Sequence, residues 1–185
     1  MVEKFIMASG VAIRMLDYGS GDKSILLLHG YLENANVWED FAQALSSNYR
    51  VVAIDLPGHG ISEVKGEVHT MEFLAEVAAD VITSQGMGKA VVVGHSMGGY
   101  VASAMLENHS ELMSGLVFFH SSPFADSEQK ALDRDREIAV ITAGRKDLIA
   151  RMAPPMLYAP QNRRRYANDI EYAHDCIMLT EDEGI

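Results

Sequence analysis

The sequence predicts an α/β fold built on a mostly parallel, doubly wound sheet that opens with an N-terminal hairpin. Unbroken apolar runs of strand length at residues 25–28, 51–54 and 90–93 are typical of parallel strands buried on both faces. Segments with helical spacing separate these runs, and strands that alternate with helices favour a parallel sheet with right-handed crossovers. The 185 residues are enough for one domain with a continuous core.

The strands are predicted in chain order from their apolar pattern. Residues Phe5–Met7 and Val11–Leu16 alternate weakly on either side of Gly10, which indicates two short strands joined by a tight turn. The three apolar runs follow as buried strands, and Leu116–Phe119 is predicted as a fourth parallel strand.

Two helices are predicted between the apolar runs. The first is indicated by Val37, Phe41 and Leu45, which recur every four residues, with Asn36 as its expected N-cap. The second has Thr70 as its expected N-cap and five apolar residues on one face: Phe73, Leu74, Val77, Val81 and Ile82.

The segment after Pro123 has a different composition. Residues 126–137 are dense in charge, and apolar residues recur at helical intervals through Ile149, which predicts mostly helix to the end of the chain. Ala153-Pro154-Pro155 is the one rigid break expected there. We therefore divide the chain into a sheet-containing core, residues 1–124, and a helical segment, residues 125–185.

Composition and charge restrict the partners. A formal net charge of −11 argues against nucleic acid and against an anionic membrane surface, and the run Arg163–Arg165 is interpreted as a solvated face. No apolar stretch approaches the roughly 20 residues of a membrane-spanning helix. Because Cys176 is the single cysteine and no signal-peptide pattern opens the chain, a cytoplasmic location is expected. Scattered histidines without helical pairing predict no metal site, and no cofactor is expected.

The chemistry-bearing motif is Gly94-His95-Ser96-Met97-Gly98, between the third apolar run and a helix that begins after Ser96. A strand-to-helix turn this tight needs small residues two before and two after the serine, and it exposes the hydroxyl at the carboxyl end of the sheet. Ser96 is therefore the candidate nucleophile. The Met97 amide, at the positive end of the helix, is one candidate donor to an oxyanion, and the loop after His29-Gly30 is expected to supply the other.

Three motifs in order then resemble the α/β hydrolase superfamily: Leu27-Leu28-His29-Gly30, Asp55-Leu56-Pro57-Gly58-His59-Gly60-Ile61-Ser62 and the turn at Ser96. The resemblance covers about residues 5–122. It implies a hydrolase core lacking its last strands, followed by lid helices. By this resemblance, the oxyanion hole is carried over onto the amides of Tyr31 and Met97.

The resemblance implies that Ser96 attacks the carbonyl of an ester or similar small acyl substrate and that water hydrolyses the acyl-enzyme. A serine argues against the dehalogenase and epoxide hydrolase branches, whose nucleophile is a carboxylate. Two alternatives stay open: a non-catalytic protein that binds a ligand on the same scaffold, and an acyl transferase or thioesterase with the same motifs.

The acid and histidine of a triad are not evident after Ser96. We expect that the chain is truncated within its lid and weakly active, with both residues beyond Ile185. The alternative is a complete triad of Ser96, Asp147 and His174, in which residues 138–143 form a strand. Truncation would leave Leu116–Phe119 as an unpaired sheet edge, which predicts self-association.

The other histidines have structural interpretations first. His29 is expected to brace the oxyanion loop rather than transfer protons, and neither His59 nor His95 is expected to take the proton of Ser96. His120 closes a strand at the ligand-binding end of the sheet, so a role in lining the pocket remains a second interpretation.

Overall fold

The computed structural model, which describes residues 1–184, contains a six-stranded sheet with strand order β1-β2-β4-β3-β5-β6. The strands are β1 (Val2–Ala8), β2 (Val11–Tyr18), β3 (Ser24–Leu28), β4 (Arg50–Ile54), β5 (Ala90–His95) and β6 (Met113–Phe119). Neighbours from β4 through β3 and β5 to β6 pair in parallel, whereas β1–β2 and β2–β4 are antiparallel. The predicted α/β class, the mostly parallel sheet and the opening hairpin are confirmed.

The hairpin turn consists of two residues with positive φ. Ser9 has φ 49° and Gly10 has φ 75°, the backbone that matches the right-handed twist of paired strands. This turn fixes the register of β1 and β2, in which Ala8 lies opposite Val11.

Helices cover both faces of the sheet. On one face, α2 (Met71–Ser84) and α3 (Met97–Asn108) pack on alternate residues such as Leu26 and Leu28. On the other face, α1 (Glu39–Leu45) and the 3-10 turn before it pack over Leu27 and its neighbours. Strands β3 and β4 are apolar and almost wholly buried, as predicted.

Strand β5 differs from the expectation of burial on both faces. Its burial alternates, with Val91 and Val93 half-buried on the face that α1 covers. The apolar run predicted a parallel strand correctly, but how deeply each face is buried depends on where the helices pack.

The predicted helix starts are half correct. Thr70 caps α2, with its side chain accepting from the Phe73 amide at 3.2 Å. The first cap is Asn34, whose Oδ1 accepts from the Asn36 amide at 3.0 Å, so the assignment to Asn36 was two residues late. Val37 and Phe41 are also exposed, because Ala35, Trp38 and Ala42 face the core instead.

The segment after β6 is helical, as predicted: α4 (Glu128–Thr142), α5 (Lys146–Met156) and α6 (Ala167–Leu179). Pro154 and Pro155 do not break the chain there, because they lie in the last turn of α5, which ends at Met156. None of the helices among residues 1–184 has both the length and the apolar composition that crossing a membrane requires.

Candidate active site

Ser96 lies at a sharp turn between β5 and α3. Its backbone has φ 48° and ψ −112°, a strained conformation for a residue with a side chain, and its surface is exposed. A side chain at Gly94 would collide with the Gly98 carbonyl, and one at Gly98 would collide with the carbonyl oxygens of Leu28 and His29. Both glycines are therefore required for β3, β5 and α3 to meet at this turn.

Hydrogen bonds to the end of β6 and to the residues that follow it hold the turn in place. The Ser96 amide donates to the Phe119 carbonyl at 3.2 Å, and the Ser121 hydroxyl donates to the Ser96 carbonyl at 2.7 Å. Gly99 admits this contact, since a Cβ there would overlap the Ser121 side chain. The backbone of Ser96 is thus tied to the end of β6.

The two candidate oxyanion donors follow two adjacent parallel strands. Tyr31 lies in the turn after β3, and Met97 is the first residue of α3 after β5. Within residues 1–184, neither amide donates a hydrogen bond to another group of the chain. These amides therefore remain available to an acceptor.

The loop Gly30–Glu33, called the oxyanion loop after its predicted role, closes on itself. The Glu33 amide donates to the Gly30 carbonyl at 3.3 Å, and the Gly30 amide donates to Glu33 Oε2 at 2.7 Å. Leu32 takes a positive φ of 63° between them. Sequence reasoning missed Glu33; the only signal was a lone carboxylate two residues after Tyr31, in the loop that follows β3.

His29 is fully buried and links two loops at the carboxyl end of the sheet. Its Nε2 accepts from the Leu56 amide at 2.9 Å, so the proton resides on Nδ1, which donates to the Gly30 carbonyl at 2.7 Å. Burial, reinforced by nearby His59, lowers the pKa of His29 to about 3. A neutral imidazole with a hydrogen bond at each ring nitrogen agrees with the prediction that His29 braces the oxyanion loop.

Asp55 organises the loops of the second motif, a role that its place in the sequence pattern does not indicate. Its buried carboxylate accepts from the Ala35 amide at 2.7 Å and the Ile61 amide at 3.0 Å, and it pairs with Arg14 at 3.4 Å. Gly60 with φ 57° allows the close approach, because a Cβ would overlap that carboxylate. Asp55 therefore shapes the loops around the site without lining either cavity.

Two cavities adjoin the turn. The acidic cavity, about 500 Å³, is lined by Ser96 and Tyr31 together with the carboxylates Glu33, Glu39, Asp40, Glu137 and Asp169. The apolar cavity, about 800 Å³, is walled mainly by apolar surface from Tyr31, Met97, Val68, Met71, Leu74, Ile138 and Ile141. Its charged lining residues are Glu67, Asp126, Arg134, Asp182 and Glu183. Tyr31 borders both, and burial, with a contribution from Glu137, raises the pKa of its hydroxyl to about 12. The phenol is thus neutral at physiological pH.

The helical segment packs directly on the oxyanion loop. Leu32 contacts Ala150 of α5 and Ile177 of α6 in a small buried cluster. The start of α4 is anchored by Asp126, which accepts from the Tyr100 hydroxyl at 2.8 Å and pairs with Arg134 at 2.6 Å. Helix α4 forms part of the wall of both cavities, whereas α5 and α6 line the acidic cavity.

The alternative triad of Ser96, Asp147 and His174 is wrong for this fold. Residues 138–143 belong to the end of α4 and its cap, because the charged residues before them continue the same helical pattern. Asp147 pairs with Arg151 in the first turn of α5. His174 hydrogen-bonds Asp175 at 3.0 Å on α6, and neither residue lines a cavity with Ser96.

The remaining histidines do not supply a base either. No hydrogen bond joins the Ser96 hydroxyl to a histidine among the described residues. His120, which has φ 46°, lines neither cavity, so its interpretation as a pocket residue is not supported. In residues 1–184, no group of three or more His, Cys, Asp or Glu side chains is arranged to hold a metal ion.

Comparison with known proteins gives the chain a family. A family model described as alpha/beta hydrolase fold matches residues 23–139. Two curated relatives are pimeloyl-(acyl-carrier protein) methyl ester esterases. That of Yersinia enterocolitica is 37% identical over 105 residues, covering 57% of this chain and 39% of the relative. That of Aeromonas hydrophila is 39% identical over 107 residues, covering 57% and 40%. The chain thus spans about 40% of the length of these relatives.

Solved structures agree on the fold. An esterase from Thermogutta terrifontis superimposes with a TM-score of 0.90 at 28% identity, covering 100% of this chain and 69% of that one. An enol-lactonase from Burkholderia xenovorans superimposes with a TM-score of 0.89 at 20% identity, covering 98% and 70%. The helical segment is included in both superpositions.

Proposed function

The chain belongs to the α/β hydrolase family, and from this premise we propose that it hydrolyses a carboxylic ester through an acyl-enzyme on Ser96. The esterase relatives support a hydrolase in general; the nucleophile and the covalent mechanism are our proposal. The observation that carries the proposal is the backbone of Ser96, held at positive φ by glycines whose replacement would cause collisions. Strain of this kind is concentrated at functional sites.

In the proposed reaction, Ser96 Oγ attacks the ester carbonyl carbon and the carbonyl oxygen gains negative charge. The amides of Tyr31 and Met97 donate hydrogen bonds to that oxyanion, and the dipole of α3 adds positive potential at Met97. The bond to the alcohol oxygen breaks and the alcohol leaves with a proton. Water then attacks the acyl-enzyme, which releases the acid and restores the Ser96 hydroxyl.

The mechanism also needs a general base that hydrogen-bonds Ser96 Oγ, and the described residues offer none. A serine that lacks its base retains an acceleration of about 10³ to 10⁴ over water from binding and oxyanion stabilisation. We therefore propose weak turnover by residues 1–185 alone.

The apolar cavity supports an acyl chain of hydrocarbon character as the substrate. Its Val, Met, Leu and Ile side chains begin at Met97, beside the proposed oxyanion, and apolar chains gain free energy on leaving water for such a lining. The names of the two bacterial relatives describe a methyl ester of an acyl chain, and we extend to this chain the bond type alone.

A free thiol at Cys176 supports a cytoplasmic location.

A ligand-binding protein without catalysis is the second candidate. It is favoured by the two cavities at this edge of the sheet, one lined by Ser96 and the other by Met97. A covalent probe separates the two functions, because a serine that faces oxyanion donors reacts with it, although slowly without a base, whereas a serine in a pocket used only for binding does not.

The test is labelling of the protein with a fluorophosphonate, followed by peptide mapping. We expect a single, slowly formed adduct on Ser96, none in Ser96→Ala, and undiminished labelling in Ser103→Ala, which alters a serine on α3 outside both cavities. A folded, unlabelled protein that binds an apolar acid would support the binding function instead. Equal labelling of Ser96→Ala would disprove Ser96 as the nucleophile.

A further inference from the structure

One carboxylate oxygen connects the oxyanion loop with the turn that carries Ser96. Glu33 Oε2 accepts from the Gly30 amide at 2.7 Å and from His95 Nδ1 at 2.7 Å. Gly30 directly precedes Tyr31, and His95 directly precedes Ser96. The same oxygen therefore bonds the neighbour of one proposed oxyanion donor and the neighbour of the proposed nucleophile.

The packing around this oxygen is close. An added Cβ on Gly30 would lie 2.8 Å from Glu33 Oε2 and 2.9 Å from His95 Nδ1, so only glycine lets the pair rest against the loop backbone. The side chains of Glu33 and His95 are 18% and 22% exposed, which leaves water little access to compete for these bonds.

The His95 ring is itself fixed by aromatic neighbours. Its centroid lies 6.3 Å from that of Trp38 and 5.9 Å from that of Phe119, both in edge-on contacts. Burial raises the pKa of the Glu33 carboxyl, but the bonds from His95 and the Gly30 amide outweigh burial and lower that pKa below its usual value. Glu33 is consequently an ionised acceptor, the stronger kind of hydrogen-bond partner.

We infer that Glu33 and His95 are a positioning pair that holds the Tyr31 amide in register with Ser96. Neither residue is assigned contact with the substrate; they act through the backbone of Gly30–Tyr31 and of His95–Ser96. The inference rests on the proposed function, since register between these groups matters to a reaction at Ser96. Misplacement of a preorganised donor weakens the stabilisation of the developing oxyanion.

The first experiment measures fluorophosphonate labelling of Ser96 at rising probe concentration, which separates probe binding from the maximal labelling rate. We expect Glu33→Leu and His95→Leu each to lower the maximal rate about tenfold with little change in probe binding, less than the 10²–10³ for loss of a donor. Glu33→Gln, which keeps an oxygen for the Gly30 amide, and His95→Asn, which keeps a nitrogen donor, should recover part of the rate. The maximal labelling rate of the double variant should be little lower than that of either single variant, because both substitutions break the same link.

Two controls exclude trivial causes. Glu107→Gln removes a carboxylate from the exposed end of α3 and should label at the unsubstituted rate. Thermal unfolding of each variant confirms that labelling is compared among folded proteins. A maximal rate that is unchanged in folded Glu33→Leu overturns the inference.

Amide hydrogen exchange supplies a readout that needs no reactivity at Ser96. Replacing His95, the last residue of β5, should accelerate exchange at the Gly30 amide, after β3, and at Tyr31. If no variant and no unsubstituted protein is labelled, the proposed function fails, and exchange still decides whether the pair links the loops. Unchanged exchange at Gly30 in His95→Leu overturns the link even where labelling is strong.

Discussion

Positive φ at single residues marks both sides of the candidate site. Ser96 at 48° and Leu32 at 63° adopt a backbone that costs about 1 to 3 kcal/mol for residues with side chains. At Leu32 this cost is offset by burial of the side chain against Ala150 and Ile177. The helical segment therefore helps to hold the oxyanion loop in its strained form.

Protonation of His29 should govern part of the stability at low pH. Its pKa is lowered from 6.5 to about 3 in the folded protein, because a buried imidazole with both nitrogens bonded resists a second proton. The unfolded chain takes up that proton near pH 6.5, so folding is fully favoured above pH 6.5 and weakened as pH falls toward 3. The free energy of unfolding should fall by up to about 1.4 kcal/mol per pH unit for this one group.

The variant His29→Gln should flatten that dependence. Denaturant unfolding between about pH 4.5 and 6 gives the free energy of unfolding at each pH. Its slope against pH should be smaller in the variant by nearly one proton, even though the variant is less stable throughout. Gln43→Ala, at an exposed position on α1 and with no titrating side chain, should retain the original slope. Identical slopes for His29→Gln and the unsubstituted protein would contradict a neutral His29.

Among residues, those defined by local backbone could be predicted from sequence and those defined by distant contacts could not. Ser96 with its glycines forms a continuous pattern, because a tight turn imposes itself on adjacent positions. Glu33 and His95 are 62 residues apart, and no spacing in the sequence indicates their bond. Tyr31 as an oxyanion donor stays a prediction, as do Ser96 and Met97 in their assigned roles.

At the scale of elements, strand and helix identity followed from period and composition, whereas burial followed from packing. The runs that became β3 and β4 were predicted within one residue of their observed starts. The face of α1 and of the 3-10 turn before it that packs on the sheet was predicted wrongly. Ala35 and Ala42 lie on the buried face, because their small side chains allow this region to approach the sheet closely. Small residues carry little weight in a hydrophobic pattern, yet they decide which face can pack.

Strand β6 should make the protein self-associate. In the described chain β6 pairs with β5 alone and is the last strand of the sheet. Its sequence includes Val117, which is 43% exposed, beside half-buried Phe118 and Phe119. An apolar edge with unpaired backbone groups is a template for pairing with a second copy.

Light scattering over a concentration series should report this association. A charged residue at the edge, in Val117→Lys, should shift the protein toward monomer, since charge disfavours edge pairing. Leu106→Lys, which changes an exposed apolar residue on α3, should leave the association as it was. A monomer at every concentration would rule out pairing through β6.

Over the whole molecule, negative charge should select against anionic esters. The net charge is −11, and five carboxylates but no Lys or Arg of the described residues line the acidic cavity that contains Ser96. The apolar cavity has four carboxylates against the one cation Arg134 among its described lining residues. The potential of such a cleft repels an anionic substrate before it reaches the nucleophile. A methyl ester that carries a free carboxylate at its far end should therefore bind more weakly than the neutral methyl ester of equal length.

Ionic strength distinguishes this repulsion from a poor fit to the cavity. Raising salt from about 10 mM to about 150 mM shortens the Debye length from about 30 Å to about 8 Å. KM for the anionic ester should then fall several-fold while kcat stays constant, and KM for the neutral ester should hardly change. Initial rates of both esters, measured on one preparation across this range, provide the comparison. Equal salt dependence of the two would show that the carboxylates around Ser96 do not set substrate charge.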